Sequence, residues 1–175
     1  MVDAPTERLQ IRRLPAMARH ILRCRDVRIA AASDILGIAL PRTACRSASQ
    51  GDLHALWLGP DEWLILGRDD VAGRLAAGAE PLAAIGAGFV DVGHRQQAIA
   101  VTGAAVETWL ASGCPLDLAL PAFPIGACTR SLFHKAEIVL WRTAAAAFHL
   151  EVWRSFADYV ETLLIDGEAD AAGLR

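Results

Sequence analysis

Gly88-Phe-Val-Asp-Val92, Gly93-His-Arg-Gln96 and Gln97-Ala-Ile-Ala-Val-Thr102 are the stretch on which the fold turns. Two β-rich runs enclose a polar, turn-forming cluster, so the segment reads as strand, turn, strand. The pattern then changes period. In Ala104–Ser112, Val106, Trp109 and Leu110 fall at helical spacing, and Gly113 supplies a C-terminal stop. Pro115, Pro121 and Pro124 mark Cys114–Ile125 as a loop. Three further strands follow at Ala127–Phe133, Ala136–Arg142 and Phe148–Trp153, with His134-Lys135 at a hairpin turn and Thr143–Ala147 as the second connection. Ser155-Phe-Ala-Asp158 reads as a capping-box start for a last helix, whose apolar stripe is Phe156, Tyr159, Val160, Leu163 and Leu164. The order is ββαβββα.

The first half gives most of the same order. Strands are expected near Leu9–Arg13 and His20–Arg25, a helix over Val27–Ile38 ended by Gly37 and Leu40-Pro41, and a polar loop over Arg42–Asp52. His54–Leu58 and Trp63–Gly67 form a hairpin around Gly59-Pro-Asp-Glu62, and a second helix spans Asp69–Ile85. Apolar residues occupy both parities of each hairpin arm, which predicts strands covered on both faces. Only element order, not residue identity, relates the halves. The chain is therefore an α+β protein of two ββαβββα-type halves with mixed, mainly antiparallel sheets. A length of 175 residues suits one domain, placed at 9–166, with a disordered N-terminus at 1–8 and a flexible C-terminal tail at 167–175.

Composition narrows the function classes. The net charge is −3 with both signs scattered, so there is no basic stripe for a phosphate backbone and no nucleic-acid partner is expected. No apolar run reaches the ~20 residues of a membrane span, and the acidic, polar start reads as no export signal, so a cytoplasmic protein is expected. Cys24, Cys45, Cys114 and Cys128 are far apart and form no ligand spacing, so they read as small buried hydrophobes and no metal is expected. The apolar fraction is 54%, mean hydropathy is +0.31, and five tryptophans stand beside one tyrosine. A fold of this size with that much apolar surface is a candidate for a large partner interface.

The polar candidates each have a structural alternative. Asp61 and Glu62 between Trp57 and Trp63 resemble an acid/base pair, but adjacent residues of extended chain face opposite ways, and Gly59, Pro60 and Asp61 read as a turn in which Asp61 bonds local amides. Asp91 within an apolar strand requires a partner. A catalytic reading pairs it with His94, yet no serine or cysteine nucleophile stands in fixed relation to them, which favours bonds from Asp91 to the Gly93–Gln96 backbone or Arg95. Trp141-Arg142 and Trp153-Arg154 put an arginine at the ends of two strands, and Arg154 before Ser155 opens a helix. Arg142 and Arg154 are thus weak anion-site candidates, with surface ion pairing as the alternative. G-x-G-x-x-G, Walker, H-E-x-x-H and G-x-S-x-G motifs are all absent.

Five ordered blocks carry a family resemblance. They are Trp57-Leu-Gly-Pro-Asp-Glu-Trp-Leu64, Asp91-Val-Gly-His-Arg-Gln96, Gly113-Cys-Pro-Leu-Asp-Leu118, Lys135-Ala-Glu-Ile-Val-Leu-Trp-Arg142 and Arg154-Ser-Phe-Ala157. Together they resemble the gamma subunit of heterotetrameric sarcosine oxidases over roughly residues 50–165, with Gly93 where that family usually has serine. The resemblance implies a folate-binding, T-protein-like fold and an accessory place in a complex that oxidises sarcosine to glycine with oxygen, giving hydrogen peroxide and 5,10-methylenetetrahydrofolate or formaldehyde. It implies direct contact with the alpha subunit, beta and delta subunits in the same complex, and FAD, FMN, NAD and tetrahydrofolate on those other subunits rather than here. A homodimer of the isolated chain is the substitute association. True T-proteins place a catalytic acid after a glycine-rich turn, whereas Thr129–Arg142 has neither Gly-Gly nor aspartate and only Glu137. The resemblance therefore implies no catalytic residue in this chain, and the alternative is a stand-alone tetrahydrofolate-binding or aminomethyltransferase-like protein.

Overall fold

A computed structural model describes residues 9–68 and 71–173. Asp69, Asp70, the expected disordered residues 1–8 and the last two residues of the tail lie outside the described residues. The chain divides into two compact units, Ala16–His94 and a second made of the residues before Ala16 together with Arg95 onward.

The Ala16–His94 unit opens with β1's successor in the chain, so the first strand, β1 (Gln10–Arg13), belongs to the other unit. Within Ala16–His94 the order is β2 (Met17–Arg23), a 3-10 turn at Asp26–Arg28, α1 (Ile29–Leu36), β3 (Ser47–Gln50), β4 (Leu53–Gly59), β5 (Glu62–Arg68), α2 (Ala72–Ala77), α3 (Ala79–Ala84) and β6 (Gly88–Asp91). Its sheet runs β3-β4-β5-β2-β6. Leu22, Leu53, Ala55, Trp63 and Ile65 meet Ile29, Ala32, Leu36, Leu75 and Leu82 in one core. The opposite face of β5 is apolar too, and Leu64 and Leu66 are as buried as Trp63 and Ile65. The α1 helix stops where Gly37 adopts φ +69°, a left-handed residue that lets its amide and that of Ile38 bond Ser33 O at 2.8 and 3.2 Å. The single helix expected over Asp69–Ile85 is instead two, α2 and α3, because the chain re-caps at Gly78. The loop expected at Arg42–Asp52 contains β3, a polar edge strand that exists through its pairing with β4.

The second unit contains β1, β7 (Gln96–Thr102), α4 (Val106–Ala111), β8 (Cys128–Phe133), β9 (Ala136–Ala144), β10 (Ala147–Trp153), a 3-10 turn at Arg154–Phe156 and α5 (Ala157–Gly173). Its sheet runs β1-β7-β10-β9-β8, and every strand pairing in both sheets is antiparallel among the described residues. The fold is thus α+β with antiparallel sheets. Phe148, Leu150 and Val152 alternate along β10 into a core shared with Trp109, Leu110, Phe133, Val160 and Leu164. Each such side chain contributes about 1.5–3 kcal/mol by leaving water. Two details of the last helix depart from expectation. Ser155 lies inside the 3-10 turn and no side chain caps the helix start, so the capping box does not form. The buried stripe is Ala157, Val160 and Leu164, which leaves Phe156 and Tyr159 exposed. The helix also continues past Asp166 to Gly173.

Candidate functional site

Arg142 sits near the end of the interior strand β9, wholly buried, and most of its neighbours are main-chain carbonyls. Nη1 donates to Leu118 O at 2.8 Å and Phe123 O at 2.9 Å, and Nε donates to Ala144 O at 3.3 Å. Nη2 donates to Ala145 O and to the carboxylate of Glu107 on α4. All five guanidinium donors are engaged, and the cation also lies 4.9 Å from the Phe148 ring centre. Arg142 is therefore no anion site: no donor remains for a ligand. It fastens the proline-containing loop Cys114–Ile125 to the sheet, helped by Asp117 Oδ1 accepting the Ala119 amide at 3.0 Å.

The other unit solves the equivalent problem with Trp63. Its indole is fully buried and donates from Nε1 to Pro41 O at 2.8 Å, holding the loop that leaves α1. Trp57 faces it across the hairpin register and is half-buried on the same core. Gly59 and Pro60 lead into the hairpin turn. The Asp61 carboxylate does not bond local amides as expected; it accepts from Arg23 at 3.0 Å, and the same guanidinium meets Glu62 at 3.0 Å. With the Arg23 and Asp61 side chains more than half exposed, this ion pair offers little stability and no shielded chemistry.

Asp91 is exposed at the end of edge strand β6, and its Oδ1 accepts the Gly93 amide at 2.7 Å. His94 is exposed in the turn and bonds nothing among the described residues, so the two form no dyad. Arg95 instead lies over the Trp153 ring, 4.9 Å from its centre. Across the β2–β6 register from Asp91 stands His20, buried and stacked on Phe89 at 4.3 Å. Burial pushes the His20 pKa down, only partly opposed by the Asp91 charge.

A pair not singled out in the sequence lies on β10. His149 and Glu151 are both buried, with Nε2 and Oε1 2.7 Å apart, and Trp141 packs against the His149 ring at 5.6 Å. The signal was present: positions i and i+2 of a strand share a face, and two ionisable groups interrupt an apolar run. An acid/base pair of this kind needs an approaching substrate, and both residues are sealed from solvent. Arg154 and Ser155 are exposed in the 3-10 turn; the Arg154 amide bonds Arg95 O at 2.9 Å, and its guanidinium has no carboxylate among the described residues. The turn Arg154–Phe156 runs directly into α5 at Ala157, so Arg154 precedes the helix proper by one turn. Glu137, the single acid of its segment, is exposed.

No cluster of three or more His, Cys, Asp or Glu among the described residues could hold a metal ion. No described helix is long and apolar enough to cross a membrane. All four cysteines are reduced, with Cys24, Cys114 and Cys128 buried and Cys45 partly so. An open groove of about 570 Å³ beside β1 is lined by Leu9, Gln10, Ile11, Arg12, Ala100, Thr102 and Ile165, a set that puts no carboxylate, histidine or lysine beside the Thr102 hydroxyl.

Two antiparallel sheets with helices make an α+β architecture that solved proteins of T-protein type share. The glycine cleavage system aminomethyltransferase T from Bartonella henselae shares this fold with a TM-score of 0.67 at 10% identity, over 92% of this chain and 46% of that one. The heterotetrameric sarcosine oxidase from Corynebacterium sp. U-96, solved with pyrrole 2-carboxylate, contains a chain that superposes with a TM-score of 0.87 at 23% identity, covering 95% of this chain and 88% of that one. The family described as sarcosine oxidase, gamma subunit, matches residues 24–170, and this chain belongs to it. A relative, the sarcosine oxidase subunit gamma of an Arthrobacter species, is 28% identical over 167 residues, 93% of this chain and 75% of that protein.

Proposed function

We propose that this chain is the accessory gamma subunit of a heterotetrameric sarcosine oxidase and carries no reaction centre of its own. Family membership over residues 24–170 is the observation that carries the reading. The geometry supports the accessory role: Arg142 is engaged by its own loop and His149–Glu151 is closed to solvent. In this reading the assembly oxidises sarcosine to glycine with oxygen in the cytoplasm, releasing hydrogen peroxide and passing the one-carbon unit to tetrahydrofolate or releasing formaldehyde. FAD, FMN, NAD and tetrahydrofolate belong to the other subunits, and the alpha subunit is the direct contact, with beta and delta in the same complex.

The internal architecture fits a duplicated ββαβββα unit. Counting from β1 and from β6, each half contributes two strands, a helix, three strands and helix, and the equivalent strands take equivalent places in β3-β4-β5-β2-β6 and β8-β9-β10-β7-β1. The first strand of each half pairs in the sheet of the other. Co-expression with the subunits encoded beside it, followed by size-exclusion chromatography and oxygen-uptake assay with sarcosine, tests the function. Co-elution in an active complex is expected, with no turnover by the isolated chain. Elution alone from every combination refutes the subunit assignment, and saturable tetrahydrofolate binding with aminomethyl transfer by the isolated chain would establish the enzyme instead.

A further inference from the structure

Trp153, Phe156 and Tyr159 stand where β10 passes into α5, and 40%, 44% and 38% of each is open to solvent. Their exposure follows from helix geometry: Ala157, Val160 and Leu164 take the inward stripe, and at about 100° per residue Phe156 and Tyr159 fall beside it. The Phe156 and Tyr159 rings meet edge to face at 6.5 Å, and the Arg95 guanidinium covers one side of Trp153. The bond from the Arg154 amide to Arg95 O holds together the two segments that carry these groups. An aromatic cluster of this kind on regular structure is a costly surface to leave in water.

The charges around the cluster are unequal. Asp158 and Glu161 are both taken by Arg13, whereas Arg95 and Arg154 meet no carboxylate among the described residues. The patch thus offers aromatic rings and two cations without counter-ions among the described residues. Tryptophan, tyrosine and arginine are the residues that most often carry interface energy. We infer that this patch docks the chain onto another subunit of the oxidase, through a partner depression that is apolar at its centre and rimmed by aspartate or glutamate. A second copy of this chain is the poorer occupant. A two-fold interface brings a patch against itself, so Arg95 and Arg154 would face their own kind while the nearby acids stay tied to Arg13.

The inference rests on the subunit assignment, and the experiment separates the two. Wild-type chain, Arg154→Glu, Phe156→Ala/Tyr159→Ala and a distant control, Val27→Ser, whose side chain is 87% exposed, are titrated against the complex lacking this subunit. Affinity is read by a surface biosensor, and folding of each isolated variant by thermal melting. The expected result is about tenfold or greater weakening for both patch variants, with the control and all melting temperatures unchanged. Raising salt should weaken wild-type binding more than Arg154→Glu binding. Patch variants that bind like wild type overturn the docking surface and leave the subunit assignment intact. A wild-type chain that fails to bind overturns both. A homodimer of the isolated chain lost in the patch variants, with complex affinity kept, assigns the patch to self-association and overturns the inference.

Discussion

Replacing Arg142 with alanine tests whether one buried cation organises the loop Cys114–Ile125. The change removes the donors of Leu118 O and Phe123 O, whose bonds to Arg142 are buried, and those of Ala144 O and Ala145 O, which are nearer water. A buried acceptor left without a donor costs about 1–3 kcal/mol, so the two inner carbonyls together cost about 4 kcal/mol. Loss of the cation over Phe148 adds about 0.5–1 kcal/mol. Glu107, its side chain 37% exposed, can turn to solvent and adds little. Against a total stability of about 5–15 kcal/mol, this is a large fraction. At about 2–4 °C per kcal/mol for a chain of this size, the melting temperature should fall by about 10–15 °C. Arg142→Lys keeps the charge but not the planar fork and should lose about half as much. Hydrogen exchange locates the effect: amides of residues 114–127 should exchange at least about tenfold faster under native conditions. A fall of less than about 3 °C, with that loop as protected as in wild type, would refute the account of Arg142 as its anchor.

In the other unit, Trp63→Phe keeps an aromatic ring but removes the donor of Pro41 O and leaves a void, for an expected loss of about 2–4 kcal/mol in urea denaturation. Gly167→Ala places a Cβ 2.5 Å from Trp109 Nε1, so the buried indole must move; a loss of about 1–3 kcal/mol and an altered near-ultraviolet circular dichroism spectrum are expected, partly offset by the better helix former. His20, its pKa depressed chiefly by burial, binds protons more readily in the unfolded chain than in the folded one. Its contribution is therefore present in full above the ordinary histidine pKa of about 6.5 and is lost as pH falls from there through the lowered folded value. Urea midpoints at pH 5.5 and 7.5 should differ more for wild type than for His20→Gln; an equal difference would remove His20 as the cause.

What the sequence disclosed follows a physical line. The Trp57–Trp63 hairpin, the Gly88–Thr102 strands and the α4 stop at Gly113 are written in local turn chemistry and periodicity. Ser47–Gln50, a short Ser-Ala-Ser-Gln run, has neither, and becomes a strand because β4 offers it an edge. The break at Gly78 is a tertiary outcome, since a glycine within a helical pattern is locally tolerable. Arg142 was visible as an arginine at a strand end, but three of its five acceptors, Leu118 O, Phe123 O and the Glu107 carboxylate, lie on a loop and a helix that only the fold brings to it. The aromatic stripe at α5 was misphased by the same limitation: Phe156, Tyr159 and Val160 are all apolar, and only packing decides which of them faces inward. His149 and Glu151 needed no fold at all, only attention to the two-residue period.

The place of β1 explains why such a chain folds as an interdependent whole. Ala16–His94 is inserted between β1 and β7, and those two strands must pair across it. Closing a flexible loop of roughly 80 residues costs about 4 kcal/mol beyond a constant. Four-residue β1 and the residue before it offer modest compensation: buried Leu9, partly buried Ile11, and the exposed pairs of Arg13 with Asp158 and Glu161. The neck is reinforced where Leu14 donates to Ala98 O at 2.9 Å and accepts from Gln97 Nε2 at 3.0 Å. Folding of the inserted unit changes the cost. Its first and last strands, β2 and β6, are direct neighbours, with His20 opposite Asp91 and the Val92 amide bonded to Arg19 O at 2.8 Å. Once that pair forms, the ends of the insertion are already close, and most of the closure entropy has been met before β1 reaches β7. Stability in one sheet is thereby lent to strand addition in the other, so a loss at Trp63 should also loosen Gln10–Arg13.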